Sequence, residues 1–83
     1  MKGENLQELV EFVAQSLVDQ PTEVSVENFQ RGNTVYLNLH VAKPDMGRMI
    51  GKGGRVANSI RTLLNVAAAR EGSQVKLDIV EPD

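Results

Sequence analysis

Apolar positions along this chain change period three times, and each change marks a new element. Leu6, Leu9, Val10, Val13 and Leu17 recur every three or four residues, which predicts a helix with one apolar stripe, flanked by Phe12 and Val18. Asn5 followed by Glu8 has the capping-box spacing. Pro21 biases Gln20 out of helical geometry, so this helix should stop near Asp19. The period then falls to two. Val24 and Val26 alternate with polar neighbours, and Val35, Leu37, Leu39 and Val41 alternate with Thr34, Tyr36, Asn38 and His40. With Arg31-Gly32-Asn33 as a turn, these segments predict an antiparallel hairpin with one apolar face. Phe29 interrupts the alternation of the first strand, and a bulge near the turn would accommodate it.

After Lys43-Pro44 the period returns to that of a helix. Asp45 is placed to cap a short helix through about Ile50, and a second helix carries Val56, Ala57, Ile60, Leu63, Leu64, Ala67 and Ala68 on one face. Gly72 stands where a C-terminal glycine cap belongs. Val75, Leu77 and Ile79 then alternate as a third strand. The order α-β-β-α-α-β predicts an α+β domain, a three-stranded sheet covered by helices on one face. Residues 1–83 should form one domain, with 1–4 and 81–83 fraying.

Composition narrows the function. The chain has 83 residues, 41% of them hydrophobic, with no cysteine and a single histidine, His40. That allows one modest core and leaves no thiolate or imidazole cluster for a metal. No apolar run reaches the length of a membrane span, and the first residues do not read as a signal peptide, so a cytoplasmic protein is expected. The net charge is −2, yet Lys43, Arg48, Lys52, Arg55 and Arg61 lie within nineteen residues that hold one acid, Asp45. Such a segment can be a solvated helix face, or a patch that binds a polyanion on an otherwise acidic domain.

Inside that segment lies Gly51-Lys52-Gly53-Gly54, which joins the two consecutive helices. Three glycines let backbone approach a ligand closely, and Lys52, Arg48 and Arg55 make an anion the natural ligand. The spacing is not that of a P-loop: Gly47 lies one residue too close to Gly51-Lys52, and Gly53 replaces the required hydroxyl residue. Nor is it a dinucleotide fingerprint, because the loop follows a helix and its glycines are wrongly spaced.

A helix, a G-x-x-G loop and a second helix resemble the KH domain. The stretch Gly47-Arg48-Met49-Ile50-Gly51-Lys52-Gly53-Gly54-Arg55-Val56 is close to that family's core motif, and the element order resembles the type II arrangement. The resemblance covers nearly the whole chain and extends to small stand-alone bacterial KH proteins of the KhpA type. It implies a backbone clamp for about four nucleotides of single-stranded RNA. It also implies a post-transcriptional role in binding or chaperoning RNA, and homodimers or heterodimers with a KhpB-type KH-containing protein.

On that reading the RNA contacts are Arg48, Ile50, Gly51, Lys52, Gly53, Gly54, Arg55 and Val56. The loop N–H groups and the cations would hold phosphates. Ile50, Val56 and Ile60 would floor the groove, and an edge strand would close it. Changing Lys52 and Gly53 together to Asp should abolish binding and leave the fold nearly intact. Aromatic stacking platforms are not expected, since no ring lies near the loop. Tyr36 and His40 read as ordinary surface residues. No Ser/His/Asp or metal-ligand constellation appears, so neither catalysis nor a cofactor is expected. The competing reading is a dimerisation module in which Met46, Met49, Ile50 and Ile60 form an adaptable apolar patch, unless they fill the core.

Overall fold

A computed structural model describes residues 2–82, with side chains from residue 5 onward. Met1 and Asp83, where part of the terminal fraying was expected, lie outside the described residues. The elements are α1 (Lys2–Leu17), a 3-10 turn (Pro21–Glu23), β1 (Ser25–Arg31), β2 (Thr34–His40), α2 (Lys43–Arg70) and β3 (Gln74–Val80). The two helices expected after the hairpin are the arms of α2, which loses helical geometry at Gly51, Lys52, Gly53 and Gly54.

The sheet order is β1-β2-β3, with β1 antiparallel and β3 parallel to the central β2. A parallel β2–β3 pair needs a crossover, and α2 supplies it. The even-numbered β1 residue Val26, with Val35, Leu37, Leu39 and Leu77, faces the helices and is buried. Leu6, Val10 and Ala14 of α1 and Ala57, Ile60, Leu64 and Ala68 of α2 complete the core. Full burial of each large aliphatic side chain stabilises the fold by about 1.5–3 kcal/mol, so this layer contact is the main source of its stability.

Four local expectations change. The chain is already helical at Lys2, so Asn5 is not the N-cap; its amide instead donates to Glu71 Oε1 at 3.4 Å. Asp45 does not cap α2 either. Its carboxylate is buried and accepts from the backbone N–H groups of Asp19 at 3.0 Å and Gln20 at 3.1 Å. Phe29 needs no bulge: the β1–β2 register is unbroken from Ser25 opposite His40 to Arg31 opposite Thr34. As an odd-numbered residue, Phe29 projects from the uncovered face, beside Tyr36. The turn itself is two residues, with Gly32 left-handed at φ 57°.

The cap predicted at Gly72 is present. Gly72 has φ 72°, its N–H reaches Ala69 O at 3.1 Å, and Ser73 N–H reaches Ala68 O at 2.9 Å, the Schellman pattern. Asn33 ties this corner to the hairpin turn: its side-chain amide donates to Gly72 O at 2.8 Å, and its carbonyl accepts from Gln74 N–H at 2.9 Å. The start of β3 is thereby fixed against the end of β1–β2.

Candidate nucleic-acid interface

The break in α2 is abrupt. Gly51 is extended (φ −66°, ψ 165°), and Lys52, Gly53 and Gly54 follow with φ of 53°, 70° and 79°. Three successive left-handed residues cannot continue a right-handed helix, so the second arm starts afresh near Arg55, the kind of helix start that leaves N–H groups without partners inside the helix. Lys52 is the one non-glycine residue with positive φ in the described chain. Such a residue costs roughly 1–2 kcal/mol, which the two glycines after it avoid.

An open cleft of about 490 Å³ lies beside the loop, lined by Pro44, Gly47, Arg48, Gly51, Lys52, Arg55 and Val56. The structure thus brings together most of the residues expected to touch RNA. Lys52, Gly53 and Arg55 are exposed, Gly51, Gly54 and Val56 half-buried, and Ile50 is 49% exposed next to the loop. Arg48 lines the cleft but is not free. Its Nη1 donates to Leu17 O at 2.8 Å and to Asp19 Oδ1 at 3.3 Å, and its Nη2 to Asp19 Oδ2 at 3.3 Å. A cation at the carbonyl end of α1 is favourably placed.

Ile60, expected on the groove floor, is 2% exposed and belongs to the core, as does Met49 at 0%. Both follow the sheet-facing stripe of α2, so neither forms part of a surface patch. Met46 is also largely buried, and edges a smaller pocket with Lys43, Ile50, Glu81 and Pro82.

The sequence pointed to an edge strand as the groove's far wall without identifying which one. The edge strand beside α2 is β3, and between them runs a cleft of about 370 Å³ walled by Arg61, Asn65, Lys76, Leu77 and Asp78, among others. Arg61 bridges it, with Nε and Nη2 each 3.3 Å from Leu77 O. An edge strand must leave such carbonyls unpaired. Which strand would be the edge beside α2 depends on strand order, which periodicity does not reveal. Among the described residues no group of three or more His, Cys, Asp or Glu side chains is placed to hold a metal, and no helix is long and apolar enough to cross a membrane.

A three-stranded mixed sheet, helices on one face, and a helix broken by a left-handed G-x-x-G turn define a KH domain. Comparison with known proteins agrees: the sequence model described as "KhpA/KhpB, KH domain" matches residues 7–79. The chain belongs to the KhpA/KhpB KH-domain family. It is 43% identical over 75 residues to the RNA-binding protein KhpA of Clostridium perfringens, covering 90% of this chain and 100% of that protein. Identity to the RNA-binding protein KhpA of Chlamydia pneumoniae is 42% over 76 residues, covering 92% and 97% respectively. For the Borreliella burgdorferi RNA-binding protein KhpA it is 40% over 74 residues, covering 89% and 90%.

Proposed function

We propose that this protein binds single-stranded RNA by clamping its backbone at Gly51–Gly54, as a single KH domain spanning the chain and acting post-transcriptionally in the cytoplasm. The observation that carries this reading is the run of left-handed residues at Lys52, Gly53 and Gly54 beside a cleft lined by Arg48, Lys52 and Arg55. Left-handed turns aim successive N–H groups at one point and form an anion-binding concavity. The second arm's first N–H groups and the lysine converge on the same place. Ile50 and Val56 offer aliphatic contact to bases, and the KhpA relatives carry the name of RNA-binding proteins.

The Lys52/Gly53 double change to Asp confounds two effects, because any L residue at Gly53 inherits φ 70° and costs roughly 1–2 kcal/mol. Lys52→Asp with Arg55→Asp leaves every glycine in place, and an acid at the start of the second arm suits the helix dipole. The expected result is loss of crosslinking to RNA with an unchanged thermal midpoint. Undiminished crosslinking would remove the clamp reading.

A second reading, self-association or pairing with a KhpB-type partner, rests on different residues from those the sequence suggested. Phe12 is 70%, Leu63 50% and Val66 52% exposed on the helices, and none of the three lines the loop cleft. Light scattering over a concentration series, with Leu63→Asp as control, tests it: a concentration-dependent dimer abolished by the variant is expected, and a monomer throughout would exclude self-association.

A further inference from the structure

The uncovered face of the sheet holds two of the three aromatic rings in the chain, and the fold stacks them. Phe29 and Tyr36 are register partners across β1–β2, with ring centroids 5.1 Å apart and planes 11° from parallel. Phe29 is 48% exposed, and no helix covers this face. The next register partner along the same row is Lys76 on β3, so Phe29, Tyr36 and Lys76 cross the sheet as ring, ring, cation. The adjacent row begins with Arg31, opposite Thr34. Of the acids on this face, Glu27 is engaged with His40 at 2.8 Å, and Asp78 lies one row beyond the rings, on the side away from Arg31.

Lys76 also walls the cleft between α2 and β3. The loop cleft takes its wall from the start of the second arm of α2, at Arg55 and Val56, and this cleft takes its wall from the same arm at Arg61 and Asn65; β3 is a single-strand-wide ridge between that arm and the ring row, with strands about 4.8 Å apart. A chain leaving the cleft at Lys76 needs to cross only that ridge to reach Tyr36.

We propose that the open sheet face is a second contact surface for single-stranded RNA, in which nucleotides beyond those held by the clamp pass over β3 at Lys76 and stack a base on the Tyr36–Phe29 pair. This rests on the clamp reading for the direction of the strand. Lys76 and Arg31 pair with phosphates on either side of the stacked base. An aromatic ring face accepts any base, so this surface, with Phe29 exposed and Tyr36 half-buried, adds length-dependent affinity and little sequence preference. A cross-strand aromatic pair also stabilises a hairpin, but hairpin stability alone does not call for a cation in the same row that also lines the cleft beside α2.

The protein supplies its own probe, since Tyr36 is its only tyrosine and it has no tryptophan. A uridine tetranucleotide fills the clamp, which takes about four nucleotides, and should leave tyrosine emission unchanged. A uridine octamer should quench it and bind more tightly. Tyr36→Ser should weaken the octamer about five- to tenfold and leave the tetramer unaffected, whereas Tyr36→Phe should restore octamer affinity. Lys76→Glu, at an exposed position, should lower both octamer affinity and quenching, with folding checked by circular dichroism. Equal affinity for tetramer and octamer, or octamer binding without quenching, would overturn the proposal. So would a change of tyrosine emission with protein concentration alone, the mark of a second copy on this face. Lys52→Asp with Arg55→Asp separates the two surfaces: loss of tetramer binding with residual quenching by the octamer supports the sheet surface. Tetramer binding that survives this variant would sink the clamp reading, and with it the path proposed here.

Discussion

Arg48 grips Asp19: both terminal guanidinium nitrogens lie 3.3 Å from its two carboxylate oxygens, and Nη1 also holds the carbonyl of Leu17 at 2.8 Å. The loop-side cation thus closes the end of α1, and any phosphate in the neighbouring cleft competes with Asp19 for it. Both side chains are largely exposed, so the pair contributes little to stability, about 0–1 kcal/mol. Asp19→Asn should leave the thermal midpoint within a few degrees and tighten RNA binding about two- to threefold by releasing the cation. Titration of a labelled oligoribonucleotide alongside a thermal melt checks both, and weaker binding would mean Asp19 orients Arg48 for RNA.

Asp45 predicts the opposite balance. It is 2% exposed and fastens the turn after α1 to the first turn of α2 through two backbone N–H groups. Asp45→Asn turns one acceptor into a donor facing an N–H, a loss of about 1–3 kcal/mol. For a domain of this size that lowers the midpoint by roughly 4–8 °C per kcal/mol, readable by circular dichroism. A midpoint equal to that of the parent would show that the turn is held by other contacts.

The loop glycines should separate strain from ligand approach. Gly51 has φ −66° and open space where a Cβ would lie, whereas Gly54 has φ 79°. Gly51→Ala should therefore keep the parent's stability, and Gly54→Ala should lose roughly 1–2 kcal/mol. Both place a methyl group where phosphate approaches, so both should bind RNA several-fold more weakly. Gly51→Ala with full affinity would show that the backbone there does not approach the ligand.

Salt reports the number of phosphates engaged. If about three are neutralised, single-strand counterion release gives a log–log slope near −2, and affinity for a tetranucleotide falls roughly twentyfold between about 50 and 200 mM salt. Filter binding at four salt concentrations measures this. A flat dependence would mean that the cleft cations do not meet phosphate.

Much of this was legible in the linear chain, because it depends on local periodicity and local backbone chemistry. The apolar stripe of α1, the alternation of β2 and β3, the glycine cap at Gly72 and the broken helix at Gly51–Gly54 each follow from residues within a few positions of one another. So does the phosphate-seeking character of the loop, since Arg48, Lys52 and Arg55 are tied to it by sequence.

What only the tertiary structure decided are the pairings between residues far apart in the chain. Asp45 looked like a helix cap, and burial against the turn at Asp19 and Gln20 gave it a different partner. Met49 and Ile60 looked available to a partner until packing on the sheet consumed them. Phe29 looked like an irregularity until the strand register set it against Tyr36 on the uncovered face. Periodicity states which face a residue occupies on its own element. It carries no information about which other element meets that face, because that is set by strand order, register and the competition of all apolar surfaces for one core.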